Sequence, residues 1–505
     1  MGKLHQQNES IWISTTNSSA TFPPLTGDAD FDVVVAGGGI TGLTAALLLK
    51  QRGRKVALIE SDRIASGVTG YTTAKVTSLH SLTYTQLTKD FGHDNALVYA
   101  QANQAAIQKI ADLIEEFDID CDHSPQPAFT YTESQDLVSD IQKEVEATLA
   151  LGLPAALVEE IDLPYAVKAA IRFDDQALFH PRKYCIALAT AIDGDGSAVF
   201  ETTKFLDVDK GDRLIVETDK GSINADHLII ATHIPTVDKG LYFGRTIPER
   251  SYALAVRIPG KAPHGMYISI DTPSRSVRPH PALGDDLVII GGENHRVGEE
   301  PDTEKRYQTL EAWARSRFDV SKIENRWSAQ DYMPADGVPF IGANGPNEDR
   351  IFVATGFNKW GMTNGTAAAM ILADRITGVE NPWAKFFDST RLDVLKSAKE
   401  VIKQSAASVD HLLGDRLRTI SVPAAQTLRN GEGGLVELDG EKVAAYRDES
   451  GALKAVSPAC THMGCLVSFN GAEKTWDCPC HGSRFDLEGK VIQGPAVKDL
   501  EPRSE

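Results

Sequence analysis

The chain has 505 residues, of which 42% are hydrophobic and 24% are charged, a balance typical of a globular protein with about two to four domains. The net charge of −19 disfavours nucleic acid as a partner, because no basic stretch offsets the repulsion from phosphate groups. No apolar run is long enough to cross a bilayer and the polar N-terminus has no export signal, so we expect a cytoplasmic protein.

The N-terminal residues 1–30 are predicted to form a polar arm that is poorly ordered ahead of the first domain. Two of the six cysteines, Cys121 and Cys185, lie far apart in the sequence and are interpreted as small buried side chains. The other four cysteines cluster near the C-terminus. Since the cytoplasm keeps thiols reduced, this clustering indicates metal or redox chemistry rather than a disulfide framework.

The first predicted domain opens with a strand, a glycine-rich turn and a helix. The apolar run 31–36 predicts a strand buried on both faces, and a second strand, 55–59, ends at Glu60. The turn and helix start between them carry the pattern G-x-G-x-x-G, whose residues are Gly37, Gly39, Ile40, Thr41 and Gly42. The glycines permit a pyrophosphate to approach the helix N-terminus, and Glu60 can hydrogen-bond the adenosine ribose. The pattern suits NAD and FAD equally, and the alternative is a glycine-rich turn without a ligand.

Later segments resemble the D-amino-acid-oxidase-like (DAO) family of FAD-dependent oxidoreductases. Three short strands and a buried strand ending at Ala231 are predicted from "AVFETTKFLDVDKGDRLIVETDKGSINADHLIIATH". A further strand, loop and helix start are predicted from "RIFVATGFNKWGMTNG", and the segment before it, "QDYMPADGVPFIGA", is also similar to the family. The resemblance covers about residues 31–380 and implies bound FAD. The cofactor contacts that it implies here are Ala231, Gly356, Gly361, Met362 and Thr363.

The stretch that follows Glu60 is "RIASGVTGYTTAKVTS", residues 63–78. Related flavoproteins have a loop of small residues here, which packs over the pyrophosphate and reaches the flavin ring. The candidates for phosphate and flavin contacts that this resemblance implies are Ser66, Thr69, Gly70, Thr72, Thr73 and Lys75. A threonine-rich surface turn is the alternative. The candidate catalytic residues are Lys75, whose charge could stabilise reduced flavin or simply be solvated, and Trp360.

Segments of about 81–200 and 240–330 are interleaved with the cofactor-binding elements, so we expect an inserted substrate domain whose apolar strands form one sheet. Several polar side chains there could face a substrate, although each is better interpreted as a structural or surface residue than as a catalytic one. These substrate-side candidates are Tyr131, His180, Arg278, His280, Glu293, Tyr332 and Trp360. No specific substrate can be named from them.

An amphipathic helical linker is predicted over residues 386–420, because apolar side chains recur at steps of three and four. These side chains are Leu395, Ala398, Ile402, Ala406, Val409 and Leu413. We expect this face to dock along the preceding domain. Contact of the nearby lysines with a membrane surface is the alternative, which the neighbouring acids disfavour.

From residue 421 to 505 the sequence changes to short strands with "DG" and "ESG" turns, which predicts a small antiparallel β domain. One loop carries Cys460 and His462, and a second loop carries Cys478 and His481. Two thiolates and two imidazoles are the ligand set of a Rieske [2Fe–2S] centre. A zinc site is the alternative because Zn²⁺ uses the same side chains, but the single-residue gap in C-x-H is unusual for zinc fingers.

The two loops, "CTHMGC" and "CPCHGS", resemble the respiratory branch of the Rieske family almost letter for letter. The resemblance implies a disulfide between Cys465 and Cys480, a covering loop at 494–496, and a hydrogen bond from Ser483 to a bridging sulfide. Phe485 stands where respiratory members usually have a tyrosine that donates to a ligand sulfur. We therefore expect a lower reduction potential than in those proteins.

The predicted fold class is an α/β FAD-binding (glutathione-reductase/DAO-like Rossmann) fold over residues 31–385 with an interleaved α+β substrate domain, plus a C-terminal all-β Rieske domain. We expect a dehydrogenase that oxidises an amine or amino-acid-like molecule by hydride transfer to FAD. Its electrons would pass singly through the Rieske [2Fe–2S] centre to an external acceptor. One alternative is an electron-transfer module that feeds a separate oxygenase or reductase, and another is a structural or redox-sensing cluster.

Overall fold

The computed structural model describes residues 8–16, 20–391 and 422–503. They form an N-terminal part, 8–391, and a C-terminal domain, 422–503. Most of the predicted linker, including its apolar face from Leu395 to Leu413, lies outside the described residues. Among the helices that are described, none is long and apolar enough to span a membrane.

The described α-helices all belong to the N-terminal part and are α1 (Ile11–Ser14), α2 (Ile40–Gln51), α3 (Thr83–Phe91), α4 (His93–Glu116), α5 (Val138–Ala150), α6 (Pro181–Ile192), α7 (Thr303–Arg317) and α8 (Gly361–Ile376). The strands of this part are β1 (Ala29–Asp30), β2 (Val33–Ala36), β3 (Val56–Ile59), β4 (Lys75–Val76), β5 (Ser124–Pro125), β6 (Ala128–Thr132), β7 (Ala155–Val158), β8 (Ala169–Phe173), β9 (Ala177–Leu178), β10 (Ala198–Phe200), β11 (Phe205–Lys210), β12 (Leu214–Thr218), β13 (Gly221–Ala225), β14 (His227–Ile230), β15 (Thr246–Arg257), β16 (Met266–Ser269), β17 (Arg275–Pro279), β18 (Leu287–Arg296), β19 (Lys322–Pro334), β20 (Phe340–Ala343) and β21 (Ile351–Thr355). The strands of the C-terminal domain are β22 (Gly433–Leu438), β23 (Glu441–Arg447), β24 (Leu453–Val456), β25 (Ser468–Asn470), β26 (Thr475–Asp477), β27 (Arg484–Phe485), β28 (Val491–Gln493) and β29 (Pro502–Arg503).

A six-stranded sheet in the order β10-β3-β2-β14-β21-β20 lies at the centre of the N-terminal part. β2 runs parallel to both β3 and β14, and all four of its residues are buried, as an apolar strand between two layers requires. Helices α2 and α8 pack against each other beside this sheet. The expected Rossmann-type arrangement is confirmed, and the three short strands β11, β12 and β13 form a separate antiparallel sheet edged by β1.

The second large element is an eight-stranded sheet in the order β19-β15-β18-β17-β16-β6-β8-β7. One face contributes Ile289 and Trp327 to the core shared with the cofactor-binding fold, while the opposite face packs on Tyr307 and Leu310 of α7. The two predicted substrate segments supply this sheet, but the structure sets different boundaries. α6 contacts α2 and β10 pairs in parallel with β3, so residues 181–200 complete the cofactor-binding fold instead.

The expectation of a poorly ordered N-terminal arm is wrong for residues 8–16. Helix α1 buries Ile11 and Trp12, and the side chain of Ser10 caps it by accepting from Ile13 N. The Trp12 indole donates to Thr72 O at 2.6 Å. The arm is polar overall, but it contains two large apolar side chains, Ile11 and Trp12. Their burial in the core holds the segment against the rest of the N-terminal part.

The C-terminal domain contains two four-stranded antiparallel sheets, β22-β23-β24-β29 and β25-β26-β27-β28. Its core surrounds Trp476 and Phe485, which are fully buried neighbours across the β26–β27 pair. The predicted all-β domain is therefore confirmed.

Candidate redox sites and the interface between them

The glycine turn after β2 has no space for side chains. Gly37 has φ +117°, and a Cβ there would collide with Ala231 O, while a Cβ on Gly42 would collide with Gly37 O. Gly39 stands at the N-cap of α2 and supplies no side-chain cap. Thr69 Oγ1 accepts from Ile40 N at the start of α2, and the glycines keep side chains out of the rest of the turn, which suits the close approach of a pyrophosphate.

Glu60 lies at the end of β3 and turns its carboxylate toward the glycine turn. Its Oε2 accepts from Gly38 N at 2.7 Å, and its Oε1 accepts from Asp62 N at 2.9 Å. Burial raises the pKa of Glu60, and these N–H donors act in the opposite direction. The carboxylate therefore lies beside the glycine turn, and its contact with a ribose stays a prediction.

The main chain of the loop 63–78 is held by buried side chains from distant parts of the chain. The indoles of Trp12 and Trp327 donate to Thr72 O and Tyr71 O, at 2.6 and 2.9 Å. Arg278 is fully buried and donates to Thr73 O at 2.8 Å and to the next carbonyl along at 2.6 Å. These contacts argue against a surface turn and give Arg278 a structural role in supporting the loop.

The side chains of this loop form local contacts. Ser66 Oγ donates to Asp62 at 3.0 Å, Thr69 Oγ1 accepts from Ile40 N at 3.2 Å, and Lys75 Nζ donates to Thr73 Oγ1 at 3.1 Å. Burial, followed by the nearby Arg278 charge, lowers the pKa of Lys75 to about 7. An amine with this pKa can hold or release a proton near neutral pH.

A buried histidine that the sequence did not single out joins the loop to the later segment. His80 Nε2 lies 2.8 Å from Thr77 O and 3.1 Å from Thr363 Oγ1, and its Nδ1 lies 2.7 Å from the Tyr99 hydroxyl. Because a carbonyl can only accept, we assign the ring proton to Nε2. Burial lowers the pKa of His80 to about 3, so the ring is neutral. The Trp360 indole stacks on it at a centroid distance of 4.5 Å.

The segment 356–363 meets the glycine turn although it lies far from it in sequence. Met362 and Thr363 are buried at the start of α8, and a Cβ on Gly365 would lie 2.5 Å from Thr41 Oγ1 in α2. Gly356 has φ +72°, and a Cβ there would lie 2.8 Å from Pro334 Cγ. The fold therefore brings the two predicted FAD motifs, including Gly361, to the same region.

The remaining substrate-side candidates have structural partners. The Tyr131 hydroxyl lies 2.9 Å from that of Tyr165, and His180 caps α6 by accepting from Lys183 N. His280 lies 2.9 Å from Arg278, and Glu293 accepts from Arg275 and Arg306. Tyr332 packs in the core of the cofactor-binding fold, while its hydroxyl donates to His481 O of the C-terminal domain. Each of these residues thus has a structural contact, and a substrate-facing role for any of them stays a prediction.

The four predicted cluster ligands lie on two loops of the C-terminal domain that the Cys465–Cys480 disulfide joins. The His462 and His481 rings lie 5.0 Å apart, and both Nδ1 atoms are buried without a hydrogen-bond partner among the described residues. Cys460 and Cys478 are buried free thiols. Buried unpaired ring nitrogens are costly unless they bind a ligand, so this donor set fits a metal cluster.

The ligand loops are closed by main-chain hydrogen bonds and by a disulfide between Cys465 and Cys480. Ser483 Oγ accepts from Ala496 N at 3.0 Å, which ties the covering loop to the second ligand loop, and the Ser483 side chain also hydrogen-bonds the Cys460 thiol. Phe485 is fully buried in the same core and has no hydroxyl to donate.

A buried network of four charges joins the two parts of the chain. Arg250, 1% exposed, reaches Glu473 and Asp477, each at 3.2 Å, and Arg484 contacts the same two carboxylates. Burial opposes ionisation of Asp477, but Arg250 and Arg484 lower its pKa to about 2. Two cations and two anions therefore compensate one another, whereas loss of one would leave a buried charge. No sequence pattern marked Arg250 for this role.

Comparison with known proteins identifies both parts. A family described as FAD dependent oxidoreductase matches residues 32–375, and the Rieske [2Fe-2S] domain family matches residues 418–502. The second match favours the cluster over the zinc alternative. The chain is 39% identical over 494 residues to the putative Rieske 2Fe-2S iron-sulfur protein YhfW of Bacillus subtilis (strain 168), covering 97% of both chains.

Two solved structures share the fold of the N-terminal part. Glycine oxidase from Geobacillus kaustophilus has a TM-score of 0.61 at 18% identity, covering 72% of this chain and 99% of that one. L-proline dehydrogenase from P. horikoshii has the same TM-score and identity, covering 73% and 99%. At this identity, the likeness establishes the fold alone.

Proposed function

Because the chain belongs to the family of FAD-dependent oxidoreductases and carries a Rieske [2Fe–2S] domain, we propose that it is a dehydrogenase of an amine or amino-acid-like small molecule. We further propose that its electrons leave through the Rieske domain to an external one-electron acceptor. The substrate class is supported by the neighbours in fold, whose names concern glycine and L-proline. A cytoplasmic location remains a prediction from the sequence.

When bound, FAD would supply two-electron chemistry toward a hydride donor, and the cluster would supply one-electron chemistry toward the acceptor. The protein provides the positions. We propose that Gly37, Gly39 and Gly42 hold the pyrophosphate and that Glu60 holds the ribose. Cys460, Cys478 and the two histidines would hold the cluster.

Lys75 is the residue that we propose for proton handling on the substrate side. Its Nζ lies on the loop that is expected to reach the flavin ring, and its pKa of about 7 leaves part of the population uncharged at neutral pH. An uncharged amine there can accept the proton that a substrate ammonium must lose before its C–H bond can donate a hydride. Trp360, stacked on His80, would close the same region.

The observation that carries the proposed relay is the buried interface between the two parts. Arg250 of the N-terminal part is paired with Glu473 and Asp477 of the Rieske domain, and the Gln330 side chain donates to Gly482 O at 2.8 Å. A contact of this kind keeps the Rieske domain against the N-terminal part. This supports electron transfer within one chain over a function in which the cluster works alone.

The test is anaerobic stopped-flow absorbance of the purified holoprotein mixed with a panel of amines and amino acids. We expect at least one compound to bleach the flavin band first and the cluster band afterwards. A variant without the cluster, such as His481→Ala, should show the flavin phase alone. Flavin bleaching in the unmodified protein with a cluster that remains oxidised would contradict the relay.

A further inference from the structure

We propose that Tyr332 is a positioning residue for electron transfer, because it fixes the histidine-ligand loop of the Rieske domain on the strand that also supports the proposed flavin-contacting loop. This inference rests on the relay of the proposed function. It names the contact by which the two redox sites are held at a constant separation.

The histidine side of the cluster site faces the N-terminal part. The Phe243 ring meets His481 edge-on at 4.8 Å and His462 at 5.3 Å between centroids. Phe243 lies just before β15, the strand that carries Arg250. The N-terminal part of the chain therefore packs against the histidine edge of the cluster site.

Tyr332 makes the polar contact at this edge. Its side chain is 1% exposed, and its hydroxyl donates to His481 O at 3.1 Å. The same hydroxyl accepts from Gln330 Nε2 at 3.2 Å, and that amide also donates to Gly482 O at 2.8 Å. Two residues of β19 thus hold two successive carbonyls of the ligand loop.

Neighbours of Tyr332 on β19 contact the segment 356–363, which is expected to lie at the flavin ring. Asp331 accepts from Lys359 N, which belongs to the segment 356–363, and also lies 3.0 Å from His233 Nε2. Pro334 packs against Gly356. A short stretch of β19 therefore contacts both the cluster loop and the segment expected at the flavin ring.

A second bridge runs through His233, whose Nδ1 lies 3.2 Å from Gln493 Nε2 just before the covering loop of the cluster. The His233 ring also packs edge-on against Tyr332, at 4.7 Å between centroids. His233 has φ +70°, an unfavourable value for a residue with a side chain, which the surrounding contacts must support. These contacts keep the Tyr332 side chain in one orientation.

The separation of the two sites matters because the rate of electron transfer between fixed centres falls steeply with distance. The fall is steepest across through-space jumps, where no covalent or hydrogen bond connects the atoms. A hydrogen bond from Tyr332 to the main chain of a cluster ligand shortens such a jump. The four-charge network around Arg250 keeps the Rieske domain from moving away, so the contact is maintained.

The test compares Tyr332→Phe with the unmodified holoprotein after light-driven reduction of the flavin. We expect the first-order rate of cluster reduction to fall several-fold in the variant, with FAD content, iron content and both midpoint potentials unchanged. Amide hydrogen exchange in residues 478–484 should become faster, and this readout does not depend on turnover. Unchanged midpoint potentials are needed because they show that the driving force is the same. A slower rate then reports a weaker electronic coupling between flavin and cluster.

The matched control is Tyr267→Phe. Tyr267 is also fully buried and donates to a main-chain carbonyl, His264 O, but it lies on β16, four strands from β19 in the same sheet. We expect its variant to transfer electrons at the unmodified rate. The same rate in Tyr332→Phe would overturn the inference and leave the relay standing, whereas no transfer in the unmodified protein would overturn the relay itself.

Discussion

The cluster site and the flavin site are assembled over very different lengths of chain. The cluster ligands lie within residues 460–481 on two loops of one small domain. The proposed flavin site spans residues 37–363 and forms only because β2, β14 and β21 are neighbours in one sheet while α2 packs on α8. The first site depends on a local motif, and the second depends on the whole fold of the N-terminal part. Changes to the two sites should therefore have separable consequences.

The largest expected effect separates the two sites completely. His481→Ala removes one of the two imidazoles, so the cluster should be lost while FAD remains, because the flavin site uses no residue of that loop. Iron, sulfide and flavin content of the purified variant give the measurement. His264→Ala, at an exposed position, is the control and should keep both cofactors. Loss of FAD together with iron in His481→Ala would mean that the two sites are not independent.

The next effect concerns the interface around Arg250, where the N-terminal part contacts the Rieske domain. Arg250→Met leaves Glu473 and Asp477 buried with Arg484 as their remaining cation, and should lower the free energy of unfolding by about 3–5 kcal/mol. Denaturant unfolding followed at the cluster absorbance measures it. Arg315→Met, which breaks an exposed pair with Glu311, should cost less than about 0.5 kcal/mol. Equal losses in both variants would show that the network does not fix the domain.

A smaller effect, on the flavin side alone, is a change with pH. The pKa of Lys75 is lowered to about 7, so between about pH 7 and its ordinary value near 10.4 the unfolded chain binds a proton there that the folded chain does not. Lys75→Met should therefore stabilise the protein most below about pH 7. That gain should shrink by up to about 1.4 kcal/mol per pH unit as the pH rises through this window.

Urea unfolding of the Lys75→Met holoprotein across the pH window measures this difference. Lys143→Met, at an exposed lysine paired with Asp140, should show no such slope. A difference between the unmodified protein and Lys75→Met that is constant with pH would argue against a perturbed Lys75 and against its proposed role in proton handling.

The smallest effect is confined to the cluster. Phe485→Tyr should raise the reduction potential, because a hydroxyl that donates to a ligand sulfur stabilises the more negative reduced cluster. A hydrogen bond to a charged group contributes about 1.5 kcal/mol, which for one electron is roughly 60 mV. Voltammetry of the variant beside Phe469→Tyr, which alters a ring elsewhere in the domain, measures the shift. An unchanged or lower potential in Phe485→Tyr would refute the prediction.

The sequence predicted the features that local chemistry dictates. Gly37, Gly42 and Glu60 follow from the space and hydrogen bonds that a dinucleotide needs, and Cys460 and His462 from the ligands of a cluster. In contrast, Tyr332 was expected on the substrate side because a tyrosine carries no pattern that reveals its partner. That partner, His481 O, belongs to a different domain and lies far along the chain.

Arg250 and Trp12 could not be predicted for the same reason. The ion pairs of Arg250 cross from one domain to the other, and Trp12 sits in a polar segment whose composition suggests disorder. The boundary at residues 181–200 was misplaced because α6 and β10 join the cofactor-binding fold through contacts with α2 and β3, which lie early in the sequence. Such contacts can be predicted only when the order of the strands in the sheet is known.

The most direct test of electron transfer between the two sites is how the rate of cluster reduction depends on protein concentration after the flavin has been reduced by light. We predict a first-order rate that stays constant on dilution, because donor and acceptor share one chain and one buried interface. A rate that falls in proportion to concentration, or a cluster that stays oxidised beside reduced flavin, would contradict the account.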